Sequence, residues 1–148
     1  EGYLDFLQLY QSGIHNCVSV SGTAFTDQHA LQLKRFCNNI YLAYDGDSAG
    51  KAAAIRAGYV LLRSGISAFI VNIPDGLDPD DWVKRDGNTP FLEAVKKGEK
   101  MLSFHFQNYK GDIFLEITCR SFRVKLQKGD KLNQLRLIFN KKKFFLPK

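Results

Sequence analysis

The sequence predicts an α/β fold with a mostly parallel central sheet and helices on both faces. Helical and extended segments alternate up to about residue 75. Two short apolar runs, residues 40–44 and 67–73, have the continuous hydrophobicity of strands that are buried on both faces. The helix predicted between them is long enough to form the crossover that two parallel strands require. With 148 residues, of which 45% are hydrophobic, the chain can bury one sizeable core.

Three elements are predicted before the first of these strands. A helix over residues 3–12 is ended by Gly13, and residues 17–21 have the composition of a short strand. Thr26 is typical of an N-cap, and the helix that it begins is predicted to run to about residue 37. We expect this helix to bury an inner face formed by Leu31, Leu33 and Phe36.

The clearest helix in the sequence covers residues 49–64. Asp47 or Ser48 is its expected N-cap, and Gly65 is its expected end. Because the strand over residues 67–73 follows at once, this helix is the predicted crossover between the two apolar strands.

Proline marks two further helices. Asp78 before Pro79 indicates an N-cap followed by proline at the first helical position. Thr89 before a second proline repeats this signal for a helix over residues 91–97, and another helix is predicted over residues 99–109.

Charge divides the chain unevenly. Residues 1–109 hold 10 Lys and Arg against 12 Asp and Glu, a net charge of −2, whereas residues 110–148 hold 11 against 3, a net charge of +8. We therefore expect three parts: a domain over residues 1–97, a helical extension over 98–110 and a basic tail of unknown structure over 111–148. For the tail, a nucleic-acid contact and a solvated or partner-facing extension both remain open.

The composition also bears on the compartment. No apolar run approaches the roughly 20 residues of a membrane-spanning helix. The first residues do not resemble a signal peptide, and Cys17, Cys37 and Cys119 are too few and too far apart for a disulfide framework. We expect a reducing, cytoplasmic location without a membrane partner.

Acidic side chains lie where the predicted strands end. Two pairs, each two residues apart, follow the two apolar strands, and a third pair, four residues apart, begins the first helix. Ligands of such sheets bind beyond the carboxyl ends of the strands. Carboxylates without nearby His or Cys favour Mg²⁺ or Mn²⁺ over zinc. The candidate ligands are Glu1, Asp5, Asp45, Asp47, Asp78 and Asp80.

Each acid also has a structural interpretation. Asp47 and Asp78 are good N-caps, and Glu1 is also interpretable as a charged residue at the start of the chain. Composition and spacing therefore lead to a metal-binding α/β domain, with phosphate ligands as one option, and do not choose a reaction.

Four motifs carry a resemblance to a known family. Residues 1–5 (E-G-Y-L-D), 22–23 (G-T), 44–53 (Y-D-G-D-S-A-G-K-A-A) and 74–80 (P-D-G-L-D-P-D) resemble, in order and spacing, the toprim domain of bacterial DnaG-type DNA primases. The resemblance extends from residue 1 to about residue 97. It implies a metal-dependent enzyme that makes short RNA primers on single-stranded DNA from nucleoside triphosphates, with the replicative helicase as a partner.

The resemblance also implies residue roles. Glu1, Asp45 and Asp47 are the expected catalytic residues, Glu1 as general acid or base, and all six acids are expected to bind the metal ions. The family's domain begins with a strand before the glutamate that matches Glu1, so we expect the first core strand to be truncated here and the isolated fragment to be inactive alone. The toprim domain of a topoisomerase or nuclease, which cleaves nucleic-acid strands, is the alternative.

Overall fold

The computed structural model describes residues 2–108 and four short strands beyond them. The chain divides into two compact units, Glu1–Phe104 and His105–Lys148, which are described separately. The four later strands are β4 to β7, with the bounds Ile117–Cys119, Phe122–Val124, Arg136–Phe139 and Lys142–Phe145.

Helix α1 covers Tyr3–Gln11 and confirms the first predicted helix. The predicted strand at residues 17–21 is wrong, because this segment forms no strand. A strand is stable only when its backbone groups pair with a neighbouring strand. The short β-type composition of residues 17–21 gives no information about such a partner, and none pairs with it among the described residues.

Helix α2 covers Asp27–Leu33, and Thr26 is its N-cap as predicted. The Thr26 hydroxyl accepts a hydrogen bond from the His29 backbone N–H at 3.3 Å. The predicted inner face is wrong: Leu31 is 60% exposed and Phe36 is 83% exposed. The helix ends before Phe36, and its buried contact is made through the small side chain of Ala30.

The central sheet has the order β1-β2-β3. Strands β1 (Asn39–Leu42) and β2 (Ser67–Ile70) are parallel, and β3 (Glu99–Lys100) is antiparallel to β2. Helix α3 (Ser48–Arg63) connects β1 to β2, which confirms the predicted crossover. Its N-cap is Asp47, one of the two predicted caps.

Three more helices follow β2 in the chain. They are α4 (Pro79–Asp86), α5 (Asn88–Lys96) and α6 (Met101–Asn108). The predicted cap of α4 is confirmed, since Asp78 is its N-cap and Pro79 its first residue. None of the helices within residues 2–108 combines the length and hydrophobicity needed to cross a membrane.

Helices cover both faces of the sheet, as predicted. Residues of α2, α3 and α6 pack with Leu42 and Ile70 in one hydrophobic cluster. Residues of α1, α4 and α5 pack with Val71 and Ile73 in a second cluster. Neighbouring residues along an extended chain point to opposite sides, so Ile70 and Val71 contribute to different clusters. The two clusters form a layered α/β core around a small sheet.

The second unit contains an antiparallel sheet with the order β4-β5-β6-β7. Each strand pairs with the next one along the chain. The side chains of the basic tail lie outside the described residues, so the proposed nucleic-acid contact of residues 111–148 stays a prediction.

Candidate metal centre

An acidic group lies at the N-terminus of α4. Carboxylate oxygens of Asp78, Asp80 and Asp81 all lie within 4.8 Å of one another. Mg²⁺ and Ca²⁺ bind oxygens at about 2.0–2.6 Å, so two ligands of one ion lie at most about 4–5 Å apart. The group is therefore compact enough for one divalent ion. The sequence prediction named Asp78 and Asp80 but not Asp81, although the unbroken D-P-D-D run was the available signal.

Helix capping explains why these acids converge. The Asp78 carboxylate accepts the backbone N–H of Asp81 at 2.6 Å, which satisfies one of the N–H donors that have no partner within the first turn of α4. Pro79 lacks an N–H and fits the first helical position without loss. Asp80 and Asp81 then follow in the first turn, where negative charge is favoured by the helix dipole.

Asp5 joins the start of α1 to the start of α4. One of its carboxylate oxygens accepts the backbone N–H of Asp80 at 3.1 Å, and the other accepts the backbone N–H of Gly2 at 2.7 Å. Asp5 is buried, and these bonds compensate part of its lost hydration. The structure thus brings the predicted Asp5 and Asp80 together across 75 residues of sequence.

Lys84 supplies a positive charge to this group. Its ammonium lies 2.6 Å from a carboxylate oxygen of Asp80, one helical turn earlier in α4. The hydrogen bond to Asp80 raises the pKa of Lys84, and the charges of Asp80, Asp81 and Asp78 raise it further. Asp80 is only 9% exposed, so its charge needs such partners.

The loop after β1 carries the second predicted pair of acids. Asp47 accepts the backbone N–H of Gly50 at 2.7 Å and so caps α3. Asp45, half-buried, precedes it by two residues. The structural interpretation of Asp47 as an N-cap is therefore confirmed. This does not exclude a metal ligand, because a carboxylate has two oxygens and about four acceptor sites.

Gly46 binds this loop to the loop after β2. Its backbone N–H donates to the carbonyl of Leu77 at 2.9 Å. A Cβ atom at Gly46 would lie 2.1 Å from the carbonyl oxygen and 2.8 Å from the carbonyl carbon of Pro74. Only glycine permits this approach between two backbones. The Asp45–Asp47 loop consequently lies against the segment that leads directly into Asp78.

A second contact links the same two loops. The Lys51 ammonium, in the first turn of α3, lies 2.6 Å from a carboxylate oxygen of Asp75. The hydrogen bond and the positive charge of Lys51 lower the pKa of Asp75. Asp75 is largely exposed, so solvent screens this ion pair. A cleft at this edge of the sheet is lined by both Asp45 and Lys51.

The predicted site residues are thus placed in two neighbouring sets. Asp5, Asp78 and Asp80 meet at the N-terminus of α4. Asp45 and Asp47 lie on the loop that is bonded to Leu77, next to Asp78 in sequence. They are not members of the compact acidic group, which among the described residues contains only the N-cap of α4 and two acids of its first turn. Glu1 lies outside the described residues.

The fold and this acidic site together define a class of protein. The Toprim-like family matches residues 1–83, more than half of the chain, so the chain belongs to the Toprim-like family. Within that family, its toprim region is of the type found in bacterial DnaG primases. Toprim domains bind divalent metal ions, and this chain carries an acidic triad suited to that role.

Three similar proteins illustrate the relationship. The DNA primase of Clostridium acetobutylicum is 38% identical over 104 residues, which cover 70% of this chain and 17% of that protein. The structure of the zinc-binding and RNA polymerase domains of Aquifex aeolicus primase matches with a TM-score of 0.67 and 34% identity, over 73% of this chain and 27% of that chain. A DnaG primase catalytic domain bound to single-stranded DNA also matches with a TM-score of 0.67 and 34% identity, over 74% of this chain and 36% of that chain.

The similarity to primases covers only part of each relative. The chain spans 17% of the length of the Clostridium acetobutylicum primase and 18% of a Staphylococcus aureus primase, so it corresponds to one region of these longer relatives. The predicted alternative, a topoisomerase or nuclease, is not favoured, because these relatives are primases. A second family, the N-terminal domain of 2′-deoxycytidine 5′-triphosphate deaminase, matches residues 93–141, which is less than half of the chain and shows no membership.

Proposed function

We propose that this chain carries the catalytic toprim region of a DNA primase, which synthesises short RNA primers on single-stranded DNA. The observation that carries the proposal is the hydrogen bond from Gly46 to Leu77, because it brings two acidic loops to one edge of the sheet. The similarity to bacterial primases over 70% of the chain supports the choice of reaction. Nucleoside triphosphates are the proposed substrates.

Mg²⁺ or Mn²⁺ is the proposed cofactor, held by Asp45, Asp47, Asp78 and Asp80. The donor set fits these ions, since hard divalent cations prefer carboxylate oxygens and the compact group at α4 consists of aspartates. Ions held there would supply the chemistry of two-metal phosphoryl transfer, which is activation of the attacking 3′-hydroxyl of the primer and stabilisation of the leaving pyrophosphate.

Helix capping prepares two of these ligands. Asp47 and Asp78 each use one carboxylate oxygen to accept an N–H of the helix that they begin. These bonds restrict the side-chain rotamers before any ion binds. Less conformational entropy is then lost on binding, which strengthens the site without additional ligands.

Glu1 and Asp5 have separate proposed roles. The resemblance to primases supports Glu1 as a general acid or base that also contacts the metal ions. For Asp5, both carboxylate oxygens accept backbone N–H groups, one of them from Asp80. We therefore propose that Asp5 fixes the position of Asp80 and contributes to the metal centre mainly through it.

The remaining partners follow from the same proposal. One similar catalytic domain is described as bound to single-stranded DNA, which supports a single-stranded DNA template for this chain. The net charge of −2 over residues 1–109 would repel DNA phosphates, so bound divalent ions also serve to offset this charge. The replicative helicase as a partner and a cytoplasmic location belong to this proposal.

Metal binding is tested first. Titration of the 148-residue chain with Mn²⁺, followed by electron paramagnetic resonance, gives the dissociation constant. We expect the double substitution Asp45→Asn and Asp47→Asn to weaken binding by at least about tenfold. Asp86→Asn is the matched control, because Asp86 is an exposed α4 carboxylate paired with Arg85 outside the acidic group. Equal affinities for the two variants would contradict the proposed ligands.

The reaction is tested in a chimera. The matching region of the Clostridium acetobutylicum primase, 38% identical over 104 residues, is replaced by the first compact unit of this chain, residues 1–104. We expect the chimera to make labelled RNA primers on single-stranded DNA, and we expect Asp45→Asn to abolish that synthesis. Strand cleavage without synthesis would refute the primase assignment and support a topoisomerase or nuclease.

A further inference from the structure

Lys84 forms an ion pair with Asp80, whose carboxylate is one of the proposed metal ligands. Its ammonium lies 2.6 Å from Asp80, whose backbone N–H is in turn held by Asp5 at 3.1 Å. Asp80 is therefore the most buried acid of the compact group, and its carboxylate is already paired with the Lys84 ammonium.

The two partners of this ion pair differ in their freedom to move. The side chain of Asp80 is enclosed, whereas that of Lys84 is 56% exposed and stands on a flexible four-carbon stem. Rotation of Lys84 into solvent requires no change in the backbone of α4. Asp80 therefore stays in place while Lys84 is able to leave.

We propose that Lys84 is the counter-ion of Asp80 in the metal-free protein. When a divalent ion binds Asp80, the ion displaces the Lys84 ammonium from this carboxylate. This inference rests on the proposed metal centre. Lys84 and the ion bind the same negatively charged group, so each weakens the binding of the other. Lys84 is thus a positioning residue that sets the metal affinity and keeps the acidic group assembled when no ion is bound.

Two consequences distinguish this role from a purely structural ion pair. Loss of Lys84 removes a competitor, so Mn²⁺ affinity rises. Loss of Lys84 also leaves the clustered aspartates without their counter-charge, so the metal-free protein becomes less stable. Saturating Mn²⁺ replaces the missing charge, and most of the stability returns because the ion binds the folded state. A structural ion pair alone would lower stability equally with and without the ion.

The experiment compares Lys84→Met with Arg85→Met in the 148-residue chain. Arg85 is adjacent on the same helix, and it pairs with Asp86 at 2.6 Å. Both substitutions remove one positive charge, so their difference isolates the contact with Asp80. Lys84→Arg keeps a cation at the same position. The readouts are the Mn²⁺ dissociation constant and the melting temperature with and without saturating Mn²⁺.

We expect Lys84→Met to tighten Mn²⁺ binding by roughly three- to fivefold relative to Arg85→Met, the upper range for one partly exposed charge pair. Lys84→Arg should bind like the wild type. If the wild-type chain binds Mn²⁺ but Lys84→Met does not bind it more tightly, this inference is wrong and the proposed metal centre is unaffected. If the wild-type chain binds no Mn²⁺, the proposed metal centre fails and this inference fails with it.

Discussion

Substitution of Gly46 by alanine tests how closely the two acidic loops are joined. The added methyl group would lie 2.1 Å from the carbonyl oxygen of Pro74, whereas ordinary contacts begin at 3.4 Å. The obstructing atoms belong to the backbone, so they cannot rotate away as a flexible side chain does. Relief requires the loops to separate, which breaks the 2.9 Å hydrogen bond from Gly46 to Leu77.

The expected cost follows from these two effects. Overpacking costs about 1–3 kcal/mol and the lost hydrogen bond about 1 kcal/mol, so we expect Gly46→Ala to lower the free energy of unfolding by about 2–4 kcal/mol. Urea denaturation followed by tryptophan fluorescence measures this. Trp82 is the only tryptophan of the chain and is buried in the second hydrophobic cluster, so its signal reports on the unit that contains the site.

Gly76→Ala is the control for this substitution. It adds the same methyl group on the facing loop after β2, but nothing lies within 4 Å of it. The backbone of Gly76 has φ of +77°, so alanine there costs about 1 kcal/mol through left-handed strain alone. We also expect Gly46→Ala, and not Gly76→Ala, to weaken Mn²⁺ binding. If Gly46→Ala were no more destabilising than Gly76→Ala, the loops would not be joined in this way.

Three further predictions concern stability and are measured by the same denaturation assay. Thr26→Ala removes the N-cap of α2 and should cost about 1 kcal/mol, whereas no loss would contradict the bond to His29. Leu61 is fully buried, so Leu61→Ala should cost about 2–5 kcal/mol; a cost below that of Thr26→Ala would contradict its place in the core. Lys51 lowers the pKa of Asp75 below 3.8, so the ion pair stabilises the fold above that pH and loses its effect as pH falls through the folded-state value. The difference between wild type and Asp75→Asn should therefore be small and constant from pH 5 to 7 and shrink below about pH 4; a difference that grows on acidification would contradict this sign.

Local signals made much of the fold predictable from the sequence. Asp47 and Asp78 are followed by residues that favour helices, and both are N-caps in the structure. The apolar runs on either side of α3 form the parallel pair β1 and β2. Each of these features depends on a few neighbouring residues, so composition and spacing were sufficient to predict them.

Features that depend on distant partners were not predictable in this way. Residues 17–21 have the composition of a strand, but strand formation depends on a neighbour that local composition does not reveal. Phe36 is apolar, yet α2 ends before it and buries Ala30 instead. The bond between Asp5 and Asp80 joins residues 75 positions apart, so only the three-dimensional fold reveals it.

The candidate site was predictable in its composition but not in its detailed arrangement. The spacing of acids after two strands pointed to one edge of the sheet, and the junction of Gly46 with Leu77 lies there. The spacing of four residues between Asp80 and Lys84 is a sequence signal for an ion pair, but such pairs are common on exposed helix faces, so it did not indicate that this pair lies at the site. Whether an ion pair lies at a site or on the surface depends on how the helix packs.

The position of a bound metal ion tests the central claim that the two loops form one centre. Crystals of this chain soaked in Mn²⁺ and measured at the manganese absorption edge would locate the ion by its anomalous signal. We predict a peak bound both by Asp45 or Asp47 and by Asp78 or Asp80. A peak bound by α4 acids alone, or no peak near either loop, would contradict the claim.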